Sequence, residues 1–143
     1  MPNYGDIQAR VETVIAAVVS DLAITGMLVT TGQSKQELTI PHCIVHAEDS
    51  VDPLPALNAL NNRDVSVSVV VESNADDSTL ADHRSAVAQI FDAMVTVSTF
   101  NSKASALSEG VSFRRVWNWR EEHGVDGNNF KDKLTLNIRC IAT

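Results

Sequence analysis

The chain is short of most things that would announce chemistry. It has two cysteines, Cys43 and Cys140, each inside an apolar segment. They cannot supply a disulfide framework or a CxxC metal knuckle, and they read as two small buried hydrophobes. Aromatic residues make up 5% of the sequence. Basic residues are outnumbered, eleven against eighteen acidic ones, for a formal net charge of −7. That balance argues against a nucleic-acid coat, because duplex binding is driven by lysines and arginines neutralising phosphates. No apolar run approaches the ~20 residues that span a bilayer. The stretch MPNYGDIQAR has no basic segment leading into an apolar run of signal-peptide length, so synthesis in the cytosol and no membrane partner are expected. The sequence also lacks a G-x-S-x-G elbow and the phosphate loops G-x-x-x-x-G-K-[ST] and G-x-G-x-x-G. Nothing here supports an enzyme, a cofactor or a catalytic residue.

What is present is an ordinary globular composition, 44% hydrophobic and 20% charged over 143 residues, enough for one domain spanning 1–143. Ile7, Val11, Val14, Ile15, Val18 and Leu22 recur at helical spacing, with Asp6 placed as an N-cap and Gly26 beyond the end, which predicts a first helix. Met27 to Ile40 reads as a short hairpin turning near Gly32 or as a strand and a loop. Pro41 opens a strand over His42 to Glu48, and Asp49 to Arg63, with two prolines and three asparagines, reads as a long surface loop. Val65, Val67, Val69 and Val71 alternate with Ser66 and Ser68, the mark of a strand with one core face. A second helix is expected from about Thr79 to Val97, its face marked by Leu80, Arg84, Val87, Ile90, Phe91 and Met94, with Asn101 to Gly110 as a connector.

Val111 to Glu122 is the next strand, in which strict alternation puts Phe113, Arg115, Trp117 and Trp119 on one face and Arg114, Val116, Asn118 and Arg120 on the other. An arginine among the aromatics points to a bulge or a snorkelling stem. His123 to Asp132 reads as a long hairpin loop, and Leu134, Leu136, Ile138 and Cys140 mark the closing strand. The sum is an α+β domain: an antiparallel sheet of four to five strands with two long helices packed on one face.

The stretch NADDSTLADH, Asn74 to His83, has residue types that hold cations or move protons. A calcium loop needs a glycine at its sharp turn and a distal glutamate, and this stretch has neither. Asp76, Asp77 and Ser78 stand instead where a helix beginning near Thr79 wants acceptors and negative charge, with Asp82 in its first turn. His42 and His46 share a strand face but are roughly 13 Å apart, too far for one ion. The C-terminal region is more unusual. It gathers both tryptophans and Arg114, Arg115, Arg120 and Arg139 in an acidic chain, and tryptophan and arginine are the residues most enriched at binding hot spots.

The first helix, the TIPHCIVHA strand, VSVSVVVES leading through ADDSTLADHR into the second helix, and the tryptophan strand closed by KLTLNIRC together resemble the small tail terminator, or tail completion, proteins of long-tailed bacteriophages and their relatives in the neck. The resemblance covers nearly the whole chain and is one of layout rather than of a signature motif. It implies a homo-oligomeric ring of six in the virion, assembled in the bacterial cytoplasm, that sits on the last ring of the tail tube. Its partners would be the tail tube protein and a neck or connector protein, with DNA only as passing cargo. Under that analogy the ring-to-ring contacts fall on His123 to Asp132, with His123, Asp126, Asn128, Asn129 and Lys131, and on Asp49 to Arg63. The strand face of Arg114, Asn118 and Arg120 is polar enough to suit a subunit interface with acidic neighbours such as Asp49, Asp52, Asp76 or Asp77. A neck stopper or head–tail adaptor would use the same kind of subunit. The rival of another class is a small metal-dependent hydrolase built on Asp76, Asp77 and His83.

Overall fold

The computed structural model describes residues 4–32, 41–51, 62–74 and 80–142. Along the chain come α1 (Tyr4–Asp21), β1 (Leu28–Thr31), β2 (His42–Val51), β3 (Asn62–Asn74), α2 (Leu80–Ala93), α3 (Val97–Ala106), β4 (Val111–Asp126) and β5 (Asn129–Ala142). The strands form one sheet in the order β1-β2-β3-β5-β4. All neighbours are antiparallel except β1, which runs parallel to β2 at the edge. Among the described residues the edge is thus a short parallel strand, and residues 33–40, the rest of the segment read as a hairpin or a strand and a loop, lie outside the described set.

The valine alternation places β3 in the middle. Val65, Val67, Val69 and Val71 are fully buried, and opposite them β5 offers Ile138, Leu136, Leu134 and Asp132 in unbroken register. Cys43, Val45 and Ala47 of β2 continue the same face. The core cluster joins this face to Ile7, Val11, Val14, Ile15, Val18 and Val19 of α1, to Val87, Ile90 and Phe91 of α2, and to Phe100 and Ala104 of α3. Cys43 and Cys140 lie in β2 and β5, the two strands that flank β3, so they do not meet. Both are free, buried thiols whose pKa burial pushes up to about 12, which leaves them protonated and unreactive.

There are three helices rather than two long ones. The expected second helix stops at Ala93, and a new one begins at Val97 and runs through what reads in sequence as a connector. The break falls at Val95-Thr96-Val97, a β-branched run that resists helical χ1 geometry, and Thr96 takes an extended backbone. Past it, Phe100 and Ala104, four residues apart, turn one buried face to the sheet. The Phe100 and Phe113 rings are 5.4 Å apart, and the Asn101 side-chain amide pairs with the backbone of Phe113 through both its oxygen (2.7 Å) and its nitrogen (2.9 Å). Asn101 thereby occupies backbone groups on edge strand β4 that would otherwise invite another strand. α1 ends at Asp21, before Gly26, and Ala23 takes the left-handed conformation beyond it.

Strict alternation fails in β4. Register shifts between Phe113 and Arg115 and between Trp117 and Arg120 insert extra residues, and Asn118 has a φ of 57° in the second. Phe113 pairs with Cys140 on the buried face, whereas Trp117 pairs with Asn137 on the opposite face. There the guanidinium groups of Arg115 and Arg139 lie over the Trp117 ring, 5.2 and 5.5 Å from its centroid. Arg139 also grips Asp64 through two hydrogen bonds of 2.8 and 3.1 Å. The bulge expected from an arginine among aromatics is thus present, and neither tryptophan belongs to the core.

Phe113 is 1% exposed, so Phe113→Ala should cost about 3–5 kcal/mol in urea denaturation. Trp119→Ala, at an exposed position, should stay within about 0.5 kcal/mol. A Phe113→Ala loss below about 1 kcal/mol would mean that the aromatic pair does not hold α3 on the sheet.

Candidate functional site

At the hairpin end of the sheet the buried face turns polar. Asp132 follows the same alternation as Leu134 and Leu136 and is 7% exposed. Its carboxylate meets two imidazoles, His83 Nε2 at 3.1 Å and His123 Nδ1 at 2.6 Å. His83 stands on the inner stripe of α2 with Val87 and Ile90, is 2% exposed, and places Nδ1 3.0 Å from the Ser73 hydroxyl. Register explains the convergence, because Asp132 is the cross-strand partner of both Val71 and His123, and Ser73 is the partner of Phe130. The Phe130 ring closes the set, 5.4 Å from that of His83. The carboxylate holds His123 above the usual imidazole pKa, chiefly through the hydrogen bond, while the charges of Asp132 and of Glu121, 3.7 Å from Nε2, add to the rise.

The linkage Ser73–His83–Asp132 has the connectivity of a hydrolytic triad, but its surroundings do not serve one. Ser73 is 3% exposed and lies within a strand, where backbone N–H groups point along the sheet rather than converging on a developing oxyanion. The carboxylate is also shared with a second histidine. The arrangement instead clamps the β4–β5 hairpin to α2. Among the described residues no group of three or more His, Cys, Asp or Glu is placed to hold a metal ion. Of the hydrolase rival's residues, His83 is turned inward to Ser73 and Asp132, and Asp76 and Asp77 lie outside the described set.

Beside the clamp runs an open groove of about 790 Å³ between α2 and the hairpin. Leu80, Val87 and Phe91 line it from α2, and Val125 and Phe130 from the hairpin. His83, His123 and Asp132 contribute polar lining, with Arg84, Asp92 and Glu121 as further charged groups. Leu80 is 42% and Val125 68% exposed, so both walls offer apolar surface to whatever enters.

The residues expected at interfaces are scattered over this frame. His123 to Asp132 is not a long loop: strand pairing runs to Asp126 and resumes at Asn129, leaving Gly127, with a φ of 61°, and Asn128 as the turn. His123 belongs to the clamp, Asn129 donates to Glu72 Oε1 at 2.9 Å, and Lys131 is exposed on β5. Asp126 ends β4. Arg114 and Asn118 are exposed beside the two register shifts, and Arg120 extends toward Glu122, 3.6 Å away. Asp49 is in β2, at a register shift, separated from β4 by β3 and β5, so it does not join the others. Asp52 lies outside the described residues, as does most of the loop expected there, while strands occupy its flanks. His42 and His46 share no ligand; His42 faces Glu72 at 3.5 Å and His46 faces Glu12 at 3.9 Å. Burial in turn raises the Glu12 carboxyl pKa, with the opposing pull of His46 second.

Sequence reading missed Asp132 and Ser73. The signal was there for Asp132, a charge in phase with a buried alternation. For α2 it was the phase of the stripe, since His83 occupies the inner position while Arg84, expected on that face, is exposed.

A histidine whose folded pKa is raised contributes stability that is complete below its unfolded pKa and is lost as pH rises through the folded value. His123→Gln should therefore lower the melting temperature relative to the parent more at about pH 5.5 than at about pH 9. A deficit that is equal at both, or larger at high pH, would remove the ionic part of the clamp.

No family model matches the chain and no curated protein matches it. Its fold is similar to that of a chain in the solved structure "Virion of native gene transfer agent (GTA) particle", with 17% identity, a TM-score of 0.52, and coverage of 98% of this chain and 100% of that one.

Proposed function

We propose that the protein is a structural component of a phage-like virion: a subunit that assembles with copies of itself into a ring at the head-proximal end of a tail tube. There it stops tube growth and joins the tail to the neck. The observation that carries this reading is the likeness, over essentially the full length of both chains, to a chain of a gene transfer agent virion. Three features agree with it. The polar network at the hairpin is built to hold strands together rather than to perform a reaction. Large apolar side chains, Leu80, Trp119 and Val125 among them, stay exposed and suit burial between subunits. The net charge of −7 lets DNA pass as cargo without adhering.

Electron microscopy of the purified protein with and without phage tail tubes, paired with its mass in solution, tests the proposal. Rings, or density closing one end of each tube, are the expected result. Density on connector assemblies with bare tube ends would instead assign the stopper or adaptor role. A protein that stays monomeric and ignores tubes would overturn the virion reading.

A further inference from the structure

The groove between α2 and the β4–β5 hairpin has apolar walls and the carboxylates of Asp92 and Glu121, and the displaced tip of the second β4 bulge carries an indole and a guanidinium. We infer that they are the two halves of one self-association contact, in which Trp119 of one copy fills the groove of another. The left-handed backbone at Asn118 and the register shift between Trp117 and Arg120 re-aim this part of the edge strand. Its two side chains are thereby left outward, Trp119 at 37% exposure and the Arg120 side chain at 77%. Arg115 and Arg139 lie over the Trp117 ring rather than over that of Trp119.

The groove suits that occupant. Its volume of about 790 Å³ is ample for an indole, and Leu80, Val87, Phe91 and Phe130 supply apolar walls for a side chain that buries roughly 150–250 Å². Arg84 is placed to lie against the face of an inserted indole. Asp92, exposed on α2, and Glu121 offer carboxylates to an incoming Arg120, beside the cationic side chains of Arg84 and His123. The clamp of His83, Asp132 and His123 fixes the hairpin wall before the partner arrives, so little ordering is left for binding to drive. This contact deepens the ring proposal by naming the surfaces, yet it needs only a second copy, so the two can fail separately.

The test mixes two single variants, Arg120→Cys, which keeps the indole, and Ala88→Cys, under mild oxidation and follows cross-linked species by mass. Ala88 is exposed and lines the groove, and the native cysteines are buried. Cross-linking should occur in the mixture and not in either variant alone. In parallel, Trp119→Ala should weaken self-association by about thirtyfold or more, as loss of a hot-spot residue does, with its circular dichroism unchanged, while Trp119→Phe should restore most of it. Cross-linked pairs without rings would support the contact and remove the ring. Rings that form without the cross-link and are indifferent to Trp119→Ala would overturn the contact and leave the ring standing. A parent protein that self-associates at no concentration and on no tube would overturn both.

Discussion

The thirteen-residue register between β3 and β5 is the constraint on which the rest depends. It has no bulge, and every second residue from Val65 to Val71 on β3 and from Leu134 to Cys140 on β5 is committed to the core. A slip of one residue would turn Val65, Val67, Val69 and Val71 out to solvent and bring Asp64, Ser66 and Glu72 in, an exchange that costs several side-chain burials at once. The strands on either side are freer. β2 carries a register shift after Ala47, and β4 carries two, so irregularity increases away from the central pair. The two bulges of β4 accordingly sit on the edge, where a displaced residue disturbs one ladder instead of two.

The same register builds the clamp. Because Asp132 precedes Leu134 by two positions, it must enter the buried face, and a carboxylate there is costly unless its oxygens are met. Two imidazoles meet them, one from a helix 49 residues away in sequence and one from the paired strand. The helix is thus tied to the sheet by a directional contact at one end and by apolar packing along the rest. That division explains how α2, with only five buried residues, keeps a fixed height above the hairpin and leaves a groove instead of collapsing onto it.

How far sequence reading reaches follows from periodicity. α1, β3 and β5 repeat at 3.6 or 2 without interruption, and their inner faces are found where the spacing places them. β4 defeats the same method because a bulge adds a residue that no periodicity announces. Phe113 and Trp117 look equivalent in the chain and end on opposite faces. The break between α2 and α3 has a local cause in three β-branched residues, whereas the parallel edge strand has none, since four residues carry too little pattern to reveal a partner. For the site, His83 and Asp132 are each legible as polar residues in apolar phase. Their meeting is not, because it depends on pairing order and on where α2 docks.

Edge strand β4 therefore carries two opposing demands. A sixteen-residue edge invites strand addition, and the structure blunts it at one end with Asn101 and along its length with bulges and arginines. Those devices suppress backbone pairing while leaving side chains free to specify a neighbour. Under the ring proposal that is the balance required, since a subunit that associates through its strand edge would pair with any exposed strand. One that associates by placing an indole and a guanidinium into a preformed apolar groove that offers carboxylates selects its own kind. If the tryptophan and the groove engage reciprocally, the contact closes on a pair; if each copy gives its tryptophan to one neighbour and receives from another, it propagates and a ring must follow from the angle between the two surfaces. Under the same proposal the central register would fix that angle, because both surfaces are carried by elements packed on β3 and β5.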